Sequence, residues 1–338
     1  MNSNNKSKNI KIITKLLLSI KNKANKEYLT YFNHKNKINK NFMERKRKYF
    51  IIKKIFIHIF ILTNIIFPII SKDIIYNKRI LEEDYEIIEI ILNVTDDGEI
   101  SILNKEFKYK PTYVEVNQTI MNISDNYTIT LYSNIYLIKL KWDYQLKTLK
   151  NLFSGISNII EVDFSNLNTS NVHFMKNMLK DCINLKKITF GNNFITSSVS
   201  SMDKMFSGSI SITSLDLSFF NTSSVINMRE MFFNCQSLLY LNLSNFDTSK
   251  TTSFYLMLRN CLSLISLNLA SFNTEKFVNM NEMFWGCESL KYLNISSFNT
   301  KSVKQMNKLF TNCYVLTSID ISGFDTSLVT EMESFFMG

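Results

Sequence analysis

The chain has 338 residues, of which 45% are hydrophobic, so it is long and apolar enough to bury a core. Its net charge of +10 is concentrated at one end, because residues 1–54 contain 16 lysines and arginines but only two acidic residues. The remaining residues carry a net charge near −4, which argues against nucleic-acid binding by the body of the protein.

Residues 1–42 form a basic leader rich in Asn and Lys, which we predict to be disordered or untranslated. Met43 offers an alternative start, because the basic residues after it directly precede an apolar run at residues 55–70. A basic segment followed by a short apolar one is typical of a secretory signal peptide, and Ser71 suits a cleavage site. We therefore predict a signal peptide at residues 43–71. An uncleaved N-terminal membrane anchor or a buried helix is the alternative, although the run is short for a spanning helix.

Residues 72–146 are predicted to form a β-rich N-terminal cap. Two apolar stretches, residues 85–94 and 100–103, flank the turn sequence DDGE and predict a hairpin. Further strands are predicted at residues 113–117, 127–132 and 135–142. We expect the last of these to pair with the first repeat, so that the cap shields one end of the repeat core.

Residues 147–338 repeat one pattern every 26 positions. The anchors Met231, Cys235 and Leu241 recur as Met257, Cys261 and Leu267, and again as Met283, Cys287 and Leu293. Seven units and the start of an eighth are recognisable, which predicts a tandem array. Because the sequence ends just inside the eighth unit, we expect the array to be truncated here. An end covered by another molecule is the alternative.

Each unit contains two apolar periodicities in succession. Met228, Met231 and Cys235 are spaced by three and four residues, which is typical of a short amphipathic helix. Leu241 and Leu243 alternate with polar residues, which predicts a half-buried strand. One unit is too small to fold alone, so neighbouring units must cover its apolar face. We predict an α/β solenoid, a right-handed coil of 26-residue units that each contribute a short parallel strand and a short helix.

The sequence at residues 231–249, MFFNCQSLLYLNLSNFDTS, resembles the BspA-type leucine-rich repeats of microbial surface proteins. The resemblance extends from about Trp142 to Gly338. It implies a leucine-rich-repeat solenoid on a cell surface, with adhesion and protein binding as its roles. The resemblance supplies no catalytic residue to carry over to this chain.

All five cysteines occupy one position of the repeat: Cys182, Cys235, Cys261, Cys287 and Cys313. A disulfide framework is one interpretation, given the predicted signal peptide. The odd number of cysteines at a single core position instead favours a buried ladder of reduced thiols. Zinc is disfavoured because no CxxC pair or nearby histidine completes a ligand set.

No sequence motif of a catalytic site is present. His173 is the one histidine beyond the N-terminal region, and it lies in a polar loop typical of a surface residue. Phosphate-binding loops, nucleophile elbows and metalloprotease motifs are absent from the sequence. We therefore predict a protein without enzymatic activity, cofactor or metal.

The outward positions of the predicted strands are the candidate binding face, because repeat arrays offer an extended concave surface. Tyr240 and Tyr292 provide the amphipathic contact area that is enriched at interfaces. The alternative is that these are ordinary polar surface positions. The candidate residues are Asp163, Thr189, Asp216, Tyr240, Asn242, Asn268, Tyr292, Asn294 and Asp320.

Sequons in the predicted cap are candidate glycosylation sites: Asn93, Asn117, Asn122 and Asn126. We predict a secreted or cell-surface protein that binds a protein or glycan ligand through its concave face, with no nucleic-acid partner. Membrane contact is expected only through the N-terminal segment or a part beyond Gly338. The main alternative is the ectodomain of a longer membrane receptor or enzyme whose functional module follows this sequence. A cytosolic scaffold is a further alternative.

Overall fold

The computed structural model describes residues 85–337, so the predicted leader and signal peptide lie outside the described residues. Within them the chain forms twelve strands and no helix. The strands are β1 (Glu86–Val94), β2 (Gly98–Ser101), β3 (Tyr113–Val116), β4 (Thr119–Met121), β5 (Thr128–Leu131), β6 (Asn134–Trp142), β7 (Ile159–Phe164), β8 (Lys187–Phe190), β9 (Ser214–Asp216), β10 (Tyr240–Asn242), β11 (Ser266–Asn268) and β12 (Tyr292–Asn294).

The largest sheet has six strands in the order β4-β3-β6-β1-β7-β8. Its centre is β1, where Ile90 lies opposite Ile138 on one side and Val162 on the other, in antiparallel register. Ile88, Ile90 and Leu92 of β1 are buried, whereas Glu89, Ile91 and Asn93 between them are half-buried or exposed, as expected of an antiparallel strand with one face in the core. The sheet therefore joins the N-terminal strands to the first two repeats, β7 and β8.

The predicted α/β solenoid is wrong. The described residues contain no helix, and their strands fall into one six-stranded sheet and three two-stranded sheets, none of which forms a solenoid. The predicted strand positions and their 26-residue register are nevertheless present. Leu241 pairs with Leu215 across the parallel strands β9 and β10, and Leu293 pairs with Leu267 across β11 and β12.

The segments predicted as helices are chains of tight turns. Glu230 and Asn234 have φ angles of 54° and 60°, in the left-handed region, which a right-handed helix cannot include. Their backbone N–H groups donate to the carbonyl oxygens of Tyr255 and Arg259 in the next unit, at 3.0 and 2.7 Å. The hydrogen bonds of this segment therefore run between units, where a helix would keep them within itself.

The helix prediction failed because three- and four-residue apolar spacing also fits successive turns. The N–H of Met231 donates to the Met228 carbonyl, and the N–H of Cys235 to the Phe232 carbonyl, each closing a turn of four residues. These turns bury the same methionine, phenylalanine and cysteine side chains that a helix would have buried. The periodicity alone could not separate the two conformations.

Stacked aromatic rings line the core along the repeats. Phe246 stacks on Phe220 with ring centroids 6.4 Å apart and on Phe272 with centroids 6.3 Å apart, and the three rings are nearly parallel. Phe284 and Phe310 stack in the same way at 5.4 Å. Each ring covers the apolar face of its neighbour, as the repeat argument requires.

Two predicted pairings in the N-terminal strands are also wrong. The expected hairpin of β1 and β2 does not form, because β2 pairs with β5. Asp97 in the connecting loop instead accepts a hydrogen bond from the Ser133 N–H at 2.7 Å, which ties this loop to the turn before β6. The strand β6 was expected beside the first repeat, but β1 takes that place.

Candidate functional site

The outward residues of β9–β12 and of the following unit form one surface, which we call the tyrosine face. It contains Ser214, Asp216, Tyr240, Asn242, Ser266, Asn268, Tyr292, Asn294, Ser318 and Asp320. They flank Leu215, Leu241 and Leu267, which point into the core and are 4–6% exposed. The other two predicted face residues, Asp163 in β7 and Thr189 in β8, are half-buried.

The aspartates and asparagines of this face, together with Asp163 in β7, shape the chain where their strands end. In six of the seven units, the Oδ1 atom of the Asp or Asn side chain accepts a hydrogen bond from the backbone N–H two residues further on, which forms an Asx turn. The pairs are Asp163 with Ser165, Asp216 with Ser218, Asn242 with Ser244, Asn268 with Ala270, Asn294 with Ser296, and Asp320 with Ser322, at 2.7–3.1 Å. These residues therefore stabilise the turns after the strands, a structural role that was not predicted from the sequence.

The hydrogen bonds also fix the charge of two carboxylates. Bonds from the hydroxyl and the N–H of Ser218 lower the pKa of Asp216 below its ordinary value. The same two groups of Ser322 lower the pKa of Asp320. Both side chains are therefore ionised at neutral pH, and each is exposed to solvent.

The two tyrosines are the large side chains of the face that form no such turn. Tyr240 is 52% exposed and Tyr292 is 60% exposed. Neither phenol hydroxyl has a hydrogen-bond partner among residues 85–337. The Lys291 ammonium group lies 5.2 Å from the centre of the Tyr292 ring. Both rings are thus available to a ligand.

Two apolar neighbours of the tyrosines were missed. Leu239 and Ile265 lie just before β10 and β11 and are 51% and 49% exposed. Because the predicted strands begin one residue later, this repeat position was not counted with the face. Its occupants vary between apolar and polar residues from unit to unit, so the sequence offers little signal for it.

The prediction of buried, reduced cysteines is confirmed. All five thiols are free, and four are fully buried. The Cys235 thiol donates to the Phe206 carbonyl at 3.2 Å, and Ser209 makes the equivalent bond to Leu179 at 2.7 Å. Burial raises the pKa of Cys235 to about 12. Such thiols are not nucleophiles at neutral pH.

The remaining chemical candidates are isolated. His173 is exposed, with its ring Nδ1 3.1 Å from the Ser198 carbonyl oxygen. Within the described part of the chain, no three His, Cys, Asp or Glu side chains cluster in a way that could hold a metal ion. Residues 85–337 contain no helix that could span a membrane.

The candidate glycosylation sites lie on the surface. Asn93, Asn122 and Asn126 are exposed. Asn117 is exposed in a turn, with φ at 45°, and its Oδ1 accepts a hydrogen bond from the Leu137 N–H at 3.0 Å. Their modification stays a prediction.

Comparison with protein families finds one family model that matches the repeat region. A family described as "Mycoplasma protein of unknown function, DUF285" matches residues 147–266 and 259–338, together more than half of the chain. The chain belongs to the DUF285 family. The DUF285 region begins after β6, so the N-terminal strands lie outside it, and the tyrosine face lies inside it. No curated protein and no solved structure matches the chain. The resemblance to BspA-type repeats stays a prediction.

Proposed function

We propose that the protein binds a protein or glycan ligand through the tyrosine face and acts by recognition, without catalysis. The exposure of Tyr240 and Tyr292 carries this proposal. Tyrosine gives large, rigid contact area at low entropic cost and keeps a hydroxyl for hydrogen bonding. The neighbouring Asp and Asn side chains are held by their turns, so a ligand would meet a surface that is already ordered.

The buried thiols agree with a role in recognition. The most nucleophilic residue type of the chain is buried in the core, and its pKa is raised by desolvation. The thiols of the repeats are therefore weak nucleophiles. The outward surface of the repeats instead presents aromatic and charged side chains. Recognition by shape and contact area is the activity that this distribution of side chains supports best.

An unbiased selection tests the proposal. The full chain is immobilised and screened against a random peptide library on phage and against a glycan microarray. A variant carrying Tyr240→Ser and Tyr292→Ser is screened in parallel, with Tyr132→Ser as the matched control, since Tyr132 is 67% exposed and lies off the face. We expect ligands that bind the wild type and the control but not the double variant. Equal binding by all three proteins, or no ligand for any, contradicts the proposal.

We also propose that the protein is secreted or displayed at the cell surface through residues 43–71. The basic cluster followed by an apolar run supports this location. N-terminal sequencing of the mature protein tests it. A terminus near Lys72 agrees with a cleaved signal peptide, and recovery of uncleaved protein in the soluble cell fraction contradicts the proposed location.

A further inference from the structure

One junction between consecutive units has fewer hydrogen bonds than the junction before it. It lies between residues 227–252 and residues 253–278, and we call it the central junction. At the preceding junction, three backbone N–H groups donate to carbonyl oxygens of the neighbouring unit: those of Met202, Leu217 and Leu239. The equivalent groups at the central junction are those of Met228, Leu243 and Ile265. Among residues 85–337, none of these three N–H groups has a backbone hydrogen-bond partner.

No other junction of the described repeats lacks both the strand pairing and the bond made at the position of Met228. The strands β8 and β9 are also unpaired, but there the Met175 N–H donates to the Ser201 carbonyl at 2.9 Å. The unit after β12 is joined in the same way, by a bond of 2.9 Å from the Met280 N–H to the Gln305 carbonyl. The central junction thus combines a gap in the sheet with a missing bond on the turn side.

Aromatic stacking is also reduced at the central junction. Phe206 stacks on Phe232 across the preceding junction, with ring centroids 5.7 Å apart. The next residue in this row is Leu258, so the stack does not continue into residues 253–278. One stack, that of Phe246 on Phe272, is retained. The central junction therefore loses a ring contact as well as hydrogen bonds.

The sequence of residues 253–278 accounts for the gap. Phe254 stands where the neighbouring units have Met228 and Met280. Its ring packs against Phe277 and Phe272, with ring centroids 4.1 and 5.1 Å away. All three rings belong to the same unit, so these aromatic contacts of Phe254 stabilise its own unit and do not cross the junction.

A second replacement affects the same segment. Ser253 stands at the repeat position that Asn227 and Asn279 occupy in the units on either side. Parallel bridges join Ser201 to Asn227 and Ser253 to Asn279, whereas no bridge joins Asn227 to Ser253 in the part of the chain that the structure describes. The irregular sequence and the missing backbone pairing therefore occur at the same place.

We propose that the central junction is the point at which the repeat array opens first, and that the replacements Ser253, Phe254 and Phe277 create this weak point. Local opening occurs in the parts of a fold that have the fewest buried contacts and hydrogen bonds. The closed form remains the main state, because turn bonds such as that from the Phe232 N–H to the Met257 carbonyl, at 2.9 Å, still span the junction.

Opening of the central junction affects the tyrosine face. Tyr240 in β10 and Tyr292 in β12 lie on opposite sides of the junction, so opening changes the distance between them. A ligand that contacts both tyrosines in the closed form stabilises the junction by mass action. The inference concerns the repeat array itself and does not depend on the proposed function.

Hydrogen–deuterium exchange of the full chain, read at single residues, tests the inference. The N–H groups of Phe206 and Phe232 are a matched pair, because each follows a methionine and donates across a junction, at 3.0 and 2.9 Å. Leu258 makes the equivalent bond across the next junction at 3.0 Å. We expect Phe232 to exchange at least about tenfold faster than Phe206 and Leu258. Equal rates overturn the inference, as does a steady increase from Phe206 through Phe232 to Leu258, which indicates fraying from one end.

A repaired variant tests the cause of the weak point. The substitutions Ser253→Asn, Phe254→Met and Phe277→Val restore residue types that other units have at these positions, as in Asn227, Met228 and Val225. Exchange at Phe232 should slow towards the rate of Phe206 in the wild type. Fast exchange at Phe232 in a variant that keeps Phe206 protected overturns the inference. If Phe206 also loses protection, the variant has lost its fold and the wild-type comparison decides.

Discussion

The backbone N–H of Glu230 donates a hydrogen bond to the carbonyl oxygen of Tyr255, at 3.0 Å and 25 residues further along the chain. Equivalent bonds join Asn177 to Asp203 and Glu282 to Asn307. Each depends on a residue with positive φ in the donor segment. The stability of the repeats therefore depends on backbone positions that L-residues with a Cβ atom occupy at a cost.

Gly208 gives the sharpest test of this dependence. Its φ angle is 75°, and an added Cβ atom would lie 3.3 Å from the Cα of Asp181 in the preceding unit. Gly208→Ala should lower the free energy of unfolding by about 1–2 kcal/mol. The matched control is Gly323→Ala, because a Cβ atom there meets nothing within 4 Å. Urea unfolding measures both, and equal stabilities of the two variants would contradict the structure.

A threonine that is buried in six of the seven units provides a second test. The Thr248 hydroxyl is 1% exposed and donates to the Asn273 carbonyl of the next unit at 2.8 Å. Thr248→Val keeps the shape but leaves that carbonyl unpaired, so we expect a loss of about 1–3 kcal/mol in the free energy of unfolding. Thr252→Val, at an exposed position, should change it by less than about 0.5 kcal/mol. A loss of the same size in both variants would show that the hydrogen bond has no special role.

The buried thiols predict a loss of stability at alkaline pH. Desolvation raises the pKa of Cys235 from 9.0 to about 12, so the folded state keeps a proton that the unfolded state releases. The thiol's contribution is therefore complete below pH 9.0 and is lost as the pH rises towards about 12. Urea unfolding from about pH 8 to about pH 11 should show a smaller decline for Cys235→Ser than for the wild type. Parallel declines would refute the assignment.

The turn at Asp216 predicts different effects for two substitutions. Asp216→Asn retains an Oδ1 acceptor for the Ser218 N–H, as Asn242 does for Ser244. We expect it to change the free energy of unfolding by less than about 0.5 kcal/mol. Asp216→Ala removes the acceptor and should cost about 1 kcal/mol. Thermal unfolding compares the two, and a neutral alanine variant would show that the turn does not need this side chain.

The register of the repeats could be predicted from the sequence, but their local conformation could not. The 26-residue spacing places Leu241 opposite Leu215, as the parallel pairing of β9 and β10 confirms. The helices were predicted from apolar spacing that turns satisfy equally well. A signal against helices was present: the residue before the cysteine position is Gly, Asn or Asp in all seven units, namely Gly155, Asp181, Gly208, Asn234, Asn260, Gly286 and Asn312. These residue types tolerate positive φ.

The candidate face could be predicted only in part. Alternation of apolar and polar residues placed Tyr240 and Asn242 outward, and both lie there. Periodicity does not distinguish a side chain that is free from one that is engaged in a turn. The Asx turn of Asn242 depends on the backbone direction after β10, which is set by the packing of the following unit.

The most direct test of the central claim is the distance between spin labels on the tyrosine face. Nitroxides at Ser214 and Ser318, four units apart, should lie roughly 20 Å apart before the label length is added. A second pair at Lys187 and Ser318, one unit longer, should be about 5 Å further apart. Narrow distance distributions that differ by this amount are the predicted result. Broad distributions, or no increase for the longer pair, would contradict a row of units in register and the binding face built on it.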